Sequence, residues 1–142
     1  VRISAKADYA VRALVVLARH TSPDEGPVTV DRIAREGDIP PRFLEGILAE
    51  VRRAGLVDSK RGAEGGYRIA RDPADIRVAD VVRVIDGPIM QVAGKDPDDV
   101  DYPPGLDSIR EVWRAAGDGA ERVLNDVALG DLISRGAPDF QI

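Results

Sequence analysis

Arg42 and Glu45 stand one helical turn apart at the start of an amphipathic run, and Lys60-Arg61 stand side by side in a glycine-rich segment that ends Gly65-Gly66. In this pattern these residues suit recognition of nucleic acid. A guanidinium donates a fork of hydrogen bonds to a guanine edge or to phosphate, and a carboxylate accepts from a cytosine amino group in the major groove. Residues 42–71 hold seven cations (Arg42, Arg52, Arg53, Lys60, Arg61, Arg68 and Arg71) against four carboxylates. This island lies in a chain of 142 residues with a net charge of −5. Residues 1–76 carry a net of +1, and residues 77–142 a net of −6. Local charge governs contact with phosphate, so the acidic total excludes no nucleic-acid partner. Arginine outnumbers lysine 17 to 3, which suits bidentate recognition and equally fits a GC-rich genome.

Other chemistries lack their residues. The chain has no cysteine, which removes disulfides, thiolate metal sites and cysteine nucleophiles together. His20 is the only histidine and reads as a helix-end residue rather than a ligand. Asp96, Asp98, Asp99 and Asp101 lack the glutamate and spacing of a calcium loop, so they read as a solvated acidic loop. No helix or P-loop lysine follows Gly65-Gly66, so a turn fits better than a phosphate cradle. No Ser/His/Asp set or carboxylate pair suggests catalysis, and an enzyme is not expected. No apolar run approaches the ~18 residues of a membrane span. Lys6, Asp8 and Arg12 interrupt any signal-peptide core, so a cytoplasmic protein without metal or cofactor is expected.

The elements that must position these residues are mainly helical. Ser4 can cap a first helix with Tyr9, Ala10, Ala13, Leu14, Leu17 and Ala18 on its apolar side, ending near Arg19. Thr29 can cap a short second helix that Gly37 ends in the left-handed conformation. After Asp38-Ile39, Pro40-Pro41 open a third helix that buries Leu44, Ile47, Leu48 and Val51 and ends before Gly55. Strands at 56–59 and 67–70 flank the Lys60–Gly66 tip. A helix-turn-helix followed by a β-hairpin is the order of a winged helix, with Thr29, Arg42, Phe43, Glu45, Arg52, Arg53, Lys60, Arg61 and Arg68 as candidate DNA contacts.

Asp75 is read as the cap of a fourth helix ending at Gly87-Pro88, and residues 88–105 as an irregular loop. A long helix follows from Leu106 to about Val127. Its apolar stripe is Ile109, Val112, Trp113, Ala116, Ala120, Val123, Leu124 and Val127, the expected dimer surface. About 22 residues at 1.5 Å each would span ~33 Å, enough to overhang a head of ordinary size. Gly117 and Gly119 mark either a bend or a close helix crossing. Trp113 and Tyr102 read as core packing, with an effector pocket as the alternative. A short helix from Leu129 to Ile133 should fold back, with fraying from Gly136. The expected divisions are a head at 1–87, a loop at 88–105 and a dimerisation region at 106–142.

Three stretches, Arg2 to Ala13, Ile39-Pro40-Pro41-Arg42-Phe43-Leu44-Glu45, and Gly55-Leu56-Val57 with Arg61-Gly62-Ala63-Glu64-Gly65-Gly66-Tyr67, resemble the Rrf2 family of small bacterial winged-helix regulators, which includes the IscR, NsrR and CymR types. Leu129-Gly130-Asp131-Leu132 also fits, so the resemblance covers nearly the whole chain. It implies a homodimer built on the long helix, with recognition helix and wing on double-stranded operator DNA. It places the family's base-reading glutamate on Glu45, its wing arginine on Arg61, and two further recognition-helix contacts on Arg42 and Phe43. Many members have a small hydroxyl where this chain has Arg42, so a different operator is expected. Many members also hold an iron–sulfur cluster through three cysteines in the loop before the long helix, and this chain has none there. Asp8, where some relatives supply a ligand, then reads as a surface or interface carboxylate.

The expected function is therefore sequence-specific transcriptional regulation, as a repressor without a cluster, with a small-molecule or protein effector. The alternative is a regulatory interaction module that binds a partner enzyme.

Overall fold

A computed structural model describes residues 1–133. Helix α1 (Ala5–Ala18) is the central strut, packed against the rest of the head. It begins at Ser4, whose Oγ accepts from the Ala7 N–H at 2.9 Å. Asp86 fixes that cap from 82 residues away, accepting from the Ser4 N–H at 3.0 Å and from its Oγ at 2.5 Å. Ala7, Ala10 and Ala13, all fully buried, let neighbouring elements approach closely.

Helix α2 (Val30–Gly37) starts on Thr29, whose hydroxyl accepts from the Arg32 N–H at 3.2 Å. The residue that ends it in the left-handed region is Asp38, with φ 50°, and Gly37 is still helical, one residue from expectation. Asp visits that conformation more readily than most residues because its short polar side chain can hydrogen-bond locally. Helix α3 (Pro41–Arg53) starts with Pro41 in its first turn and buries Leu44, Ile47, Leu48 and Val51. Strands β1 (Val57–Lys60) and β2 (Gly66–Ile69) pair antiparallel, from Val57 with Ile69 to Lys60 with Gly66. The hairpin sits one residue away from its expected place on each strand. Val28 adds a rung on β2 by exchanging both backbone hydrogen bonds with Tyr67 at 2.8 Å. Gly66, at φ 151°, is required there, because a Cβ would stand 2.3 Å from the Val28 carbonyl oxygen.

Asp75 does not cap the fourth helix. Asp72-Pro73 opens a separate 3-10 turn (Pro73–Asp75), and the fully buried Ile76 then draws the chain out in extended form. Helix α4 (Val78–Asp86) follows Arg77, whose backbone N–H donates to Asp80 at 2.9 Å. Residues 88–105 are less irregular than expected, with a bridge between Val92 and Lys95 and a 3-10 turn at Pro97–Asp99. Helix α5 (Ile109–Asp126) is shorter than expected: 18 residues, or ~27 Å. Leu106 belongs to the turn made by Pro103, Pro104 and Gly105, its N–H donating to the Pro103 carbonyl at 3.0 Å.

Val127 lies beyond α5 in extended conformation and is only 8% exposed, its carbonyl accepting from the Val78 N–H at 2.9 Å. It therefore packs within its own chain instead of continuing the α5 stripe. Helix α6 (Leu129–Ile133) folds back onto α1, and Leu129 is fully buried in the head's core. The fraying expected from Gly136 falls outside the described residues. Among those described, no helix is long and apolar enough to cross a membrane.

Candidate nucleic-acid interface

The apolar spacing of α3 turns Leu44, Ile47, Leu48 and Val51 inward, which leaves Arg42, Glu45, Ala49, Arg52 and Arg53 exposed. None of these four charged groups forms an ion pair among the described residues. Cations away from this face do find partners: Lys6 pairs with Glu50 at 3.0 Å, Arg12 with Asp8 at 2.8 Å, and Arg32 with Glu36 at 2.5 Å. The outward side of α3 thus carries a run of exposed charge that no ion pair engages among the described residues. Asp8 is a surface carboxylate within this chain, held by Arg12 one turn on.

Beside α3 the hairpin carries Lys60 and Arg61, both exposed at its tip. The tip closes through the Gly65 N–H on the Gly62 carbonyl at 2.9 Å. Arg68 is placed differently. It is half-buried on β2, and its guanidinium donates to the backbone carbonyl of Glu25, which ties the 21–27 loop to the wing. Thr29 is exposed, its hydroxyl occupied as the cap of α2. Phe43 is half-buried, its ring 5.3 Å from that of Tyr9.

Two supports were not visible in the residue pattern. Arg12 donates to the Asp38 carbonyl at 3.1 Å, which braces the turn between α2 and α3 from α1. His20, its side chain 13% exposed, faces Glu25 at 3.3 Å and Glu36 at 3.2 Å, with Arg32 beside it at 3.3 Å. Burial pushes the Glu36 carboxyl up, but hydrogen bonds and charge from His20 and Arg32 outweigh it and hold Glu36 below its ordinary value.

Helix α5 presents a different surface. Val112 is 58% exposed, Trp113 37% and Val123 50%; Ala116 is also exposed, while Ile109, Ala120 and Leu124 are half-buried. Its polar side is tied down. Arg83 of α4 pairs with Glu121 at 2.9 Å, and Arg114 donates to Asp98 at 2.6 Å. The latter pairing raises the Arg114 pKa. Arg110 donates to the carbonyls of Pro97 at 3.2 Å and Val100 at 2.6 Å, with its guanidinium over the Tyr102 ring. Gly117 is buried under Met90, which a Cβ would approach to 2.8 Å, so this glycine admits the chain's own loop. An open cavity of about 640 Å³ lies between the end of α4, the loop and α5, walled by Arg83, Met90, Asp98, Trp113, Arg114 and Glu121. Trp113 is thus a cavity wall, not core, and its indole N–H donates to the Tyr102 hydroxyl at 3.0 Å.

This arrangement has counterparts. The Rrf2 family profile, described as an iron-dependent transcriptional regulator, matches residues 3–135. An HTH-type transcriptional regulator of Mycobacterium tuberculosis strain H37Rv is 41% identical over 138 residues, covering 97% of this chain and 84% of that protein. The structure of CymR, the global cysteine regulator of B. subtilis, superposes with a TM-score of 0.78 at 33% identity, covering 94% of this chain and 97% of its own. IscR of T. potens superposes with a TM-score of 0.73 at 35% identity, covering 94% of this chain and 86% of its own.

Proposed function

Since the chain belongs to the Rrf2 family of transcriptional regulators, a DNA-binding family with the winged-helix fold, we propose that it represses transcription as a homodimer that needs no iron–sulfur cluster. Arg42 and Glu45 enter the major groove of each half-site from α3. Lys60 and Arg61 anchor the wing, and Arg52 and Arg53 meet phosphate. The observation that carries this reading is that Arg42, Glu45, Arg52 and Arg53 on α3, with Lys60 and Arg61 on the hairpin beside it, stand exposed and in no ion pair among the described residues. The apolar stripe of α5, left bare in a single chain, supports pairing with a second copy.

The residues do not fit an iron–sulfur cluster. Such clusters need thiolates, or thiolates with histidine. The chain has no cysteine, and among the described residues no three potential ligands gather. The cavity beside Trp113 is the candidate seat for a small-molecule effector.

Gel-shift titration against DNA protected in footprinting of the upstream region tests the reading. Arg61→Ala is expected to weaken binding and reduce the salt slope by roughly one, and Glu45→Ala to relax base preference. Unchanged affinity and unchanged preference in both variants would refute it. Capture of a partner enzyme without any DNA protection would favour the interaction module instead.

A further inference from the structure

Four side chains from α1 and α3 stack in sequence across the front of the head. The Arg12 guanidinium lies 5.1 Å over the Tyr9 ring, the Tyr9 ring lies 5.3 Å from Phe43 at a tilt of 47°, and the Arg42 guanidinium lies 5.1 Å over Phe43. Both rings also pack against the core, so the pair forms a fixed step and not a surface ornament. Its far end is anchored as well, because Arg12 pairs with Asp8 at 2.8 Å and donates to the Asp38 carbonyl at 3.1 Å. Arg42 is the free end. It is exposed and forms no ion pair among the described residues. A guanidinium resting on an aromatic face keeps its N–H fork open in its own plane and has less rotamer freedom left to lose on binding.

Glu45, one turn further along α3, shows what this face meets. It too is exposed and unpaired. A carboxylate facing phosphate would be repelled, whereas one facing base edges can accept from a cytosine amino group. A side chain that shares its face, in the first turn of the recognition helix, therefore points at bases as well. The base that offers a guanidinium fork two acceptors is guanine, through O6 and N7.

We propose that Arg42, held on the Tyr9–Phe43 step, is a specificity residue that reads a guanine in each half-site, beside the base read by Glu45, and that Tyr9 is its positioning residue. This rests on the winged-helix reading above and adds a base identity and a residue outside the DNA-facing elements.

Selection of binding sites from a random double-stranded library by the full chain tests it, with melting temperatures measured alongside. The wild type is expected to enrich a guanine at one fixed place in each half-site. Arg42→Ala should lose that preference by about ten- to a hundredfold while keeping the base chosen through Glu45. Tyr9→Leu should blunt the same preference several-fold, and Tyr9→Phe should retain it. An unchanged preference in Arg42→Ala with a flatter salt dependence would make Arg42 a phosphate contact and overturn the proposal. A Tyr9→Leu variant that leaves the preference intact, or lowers it at every position in step with melting temperature, would overturn the role of Tyr9. Enrichment of no site by the wild type would instead refute the DNA-binding reading, and the guanine contact with it.

Discussion

The head and the α5 half solve opposite halves of one problem. In the head, apolar faces are closed: Leu14, Leu17, Ile33, Leu44, Ile47 and Leu48 are fully buried, while Arg42, Glu45, Lys60 and Arg61 stand exposed. In the α5 half, Arg110 and Arg114 are engaged by carbonyls and carboxylates and Glu121 by Arg83 of α4, while Val112, Trp113 and Val123 stand bare. Unspent charge is complementary to a polyanion, and unspent apolar area to another apolar face. One chain thus carries two kinds of incompleteness and keeps them on separate elements, so each can be broken without the other.

The largest effect should follow from charging the bare stripe. Val112→Glu with Val123→Glu is expected to yield monomers in sedimentation, with operator affinity falling at least about a hundredfold as each buried valine forfeits roughly 1.5–3 kcal/mol. The monomer should stay folded, since both residues are exposed in the single chain, but its melting temperature should fall and lose the dependence on protein concentration that dimerisation confers. A dimer that survives would break the comparison. Next, Arg110→Ala should free the 97–102 segment from α5, speeding trypsin cleavage after Lys95 by about tenfold. Affinity for DNA should stay unchanged, which sharpens the separation of the two halves.

The smallest effect concerns acid. A carboxyl held below its ordinary value adds stability above that value and loses it as pH falls. For Glu36 this is a contribution present above about pH 4.5 and lost below it. Glu36→Gln should therefore cost the head about 0.5 kcal/mol near neutrality, since the pair is partly exposed, and should show a shallower loss of stability between pH 5 and pH 3 by denaturant titration.

What the sequence made legible was local. Ser4 and Thr29 cap their helices as read, and the spacing of Leu44, Ile47, Leu48 and Val51 names the buried face of α3, because capping and amphipathicity are set within a turn or two. Boundaries decided from afar were not legible. Asp75 lost its capping role to a proline turn and a buried Ile76, and Val127 left the α5 stripe because the Val78 backbone claims its carbonyl. The candidate site divides the same way. Arg42, Glu45 and Arg61 could be picked by type and position, but the tie from Arg68 to Glu25 and the Tyr9–Phe43 step join segments distant in sequence.

The return of α6 has a topological consequence. Leu129 fills the core from beyond α5, so the chain returns to the head after the long helix, whose C-terminal half is also tied to α4 by Glu121 on Arg83. A cut after α4 would leave a fragment with every candidate DNA contact and a hole where Leu129 had been. Such a cavity costs a buried leucine position ~2–5 kcal/mol, a large share of the stability of a small domain. The reader of DNA is therefore not a detachable cassette.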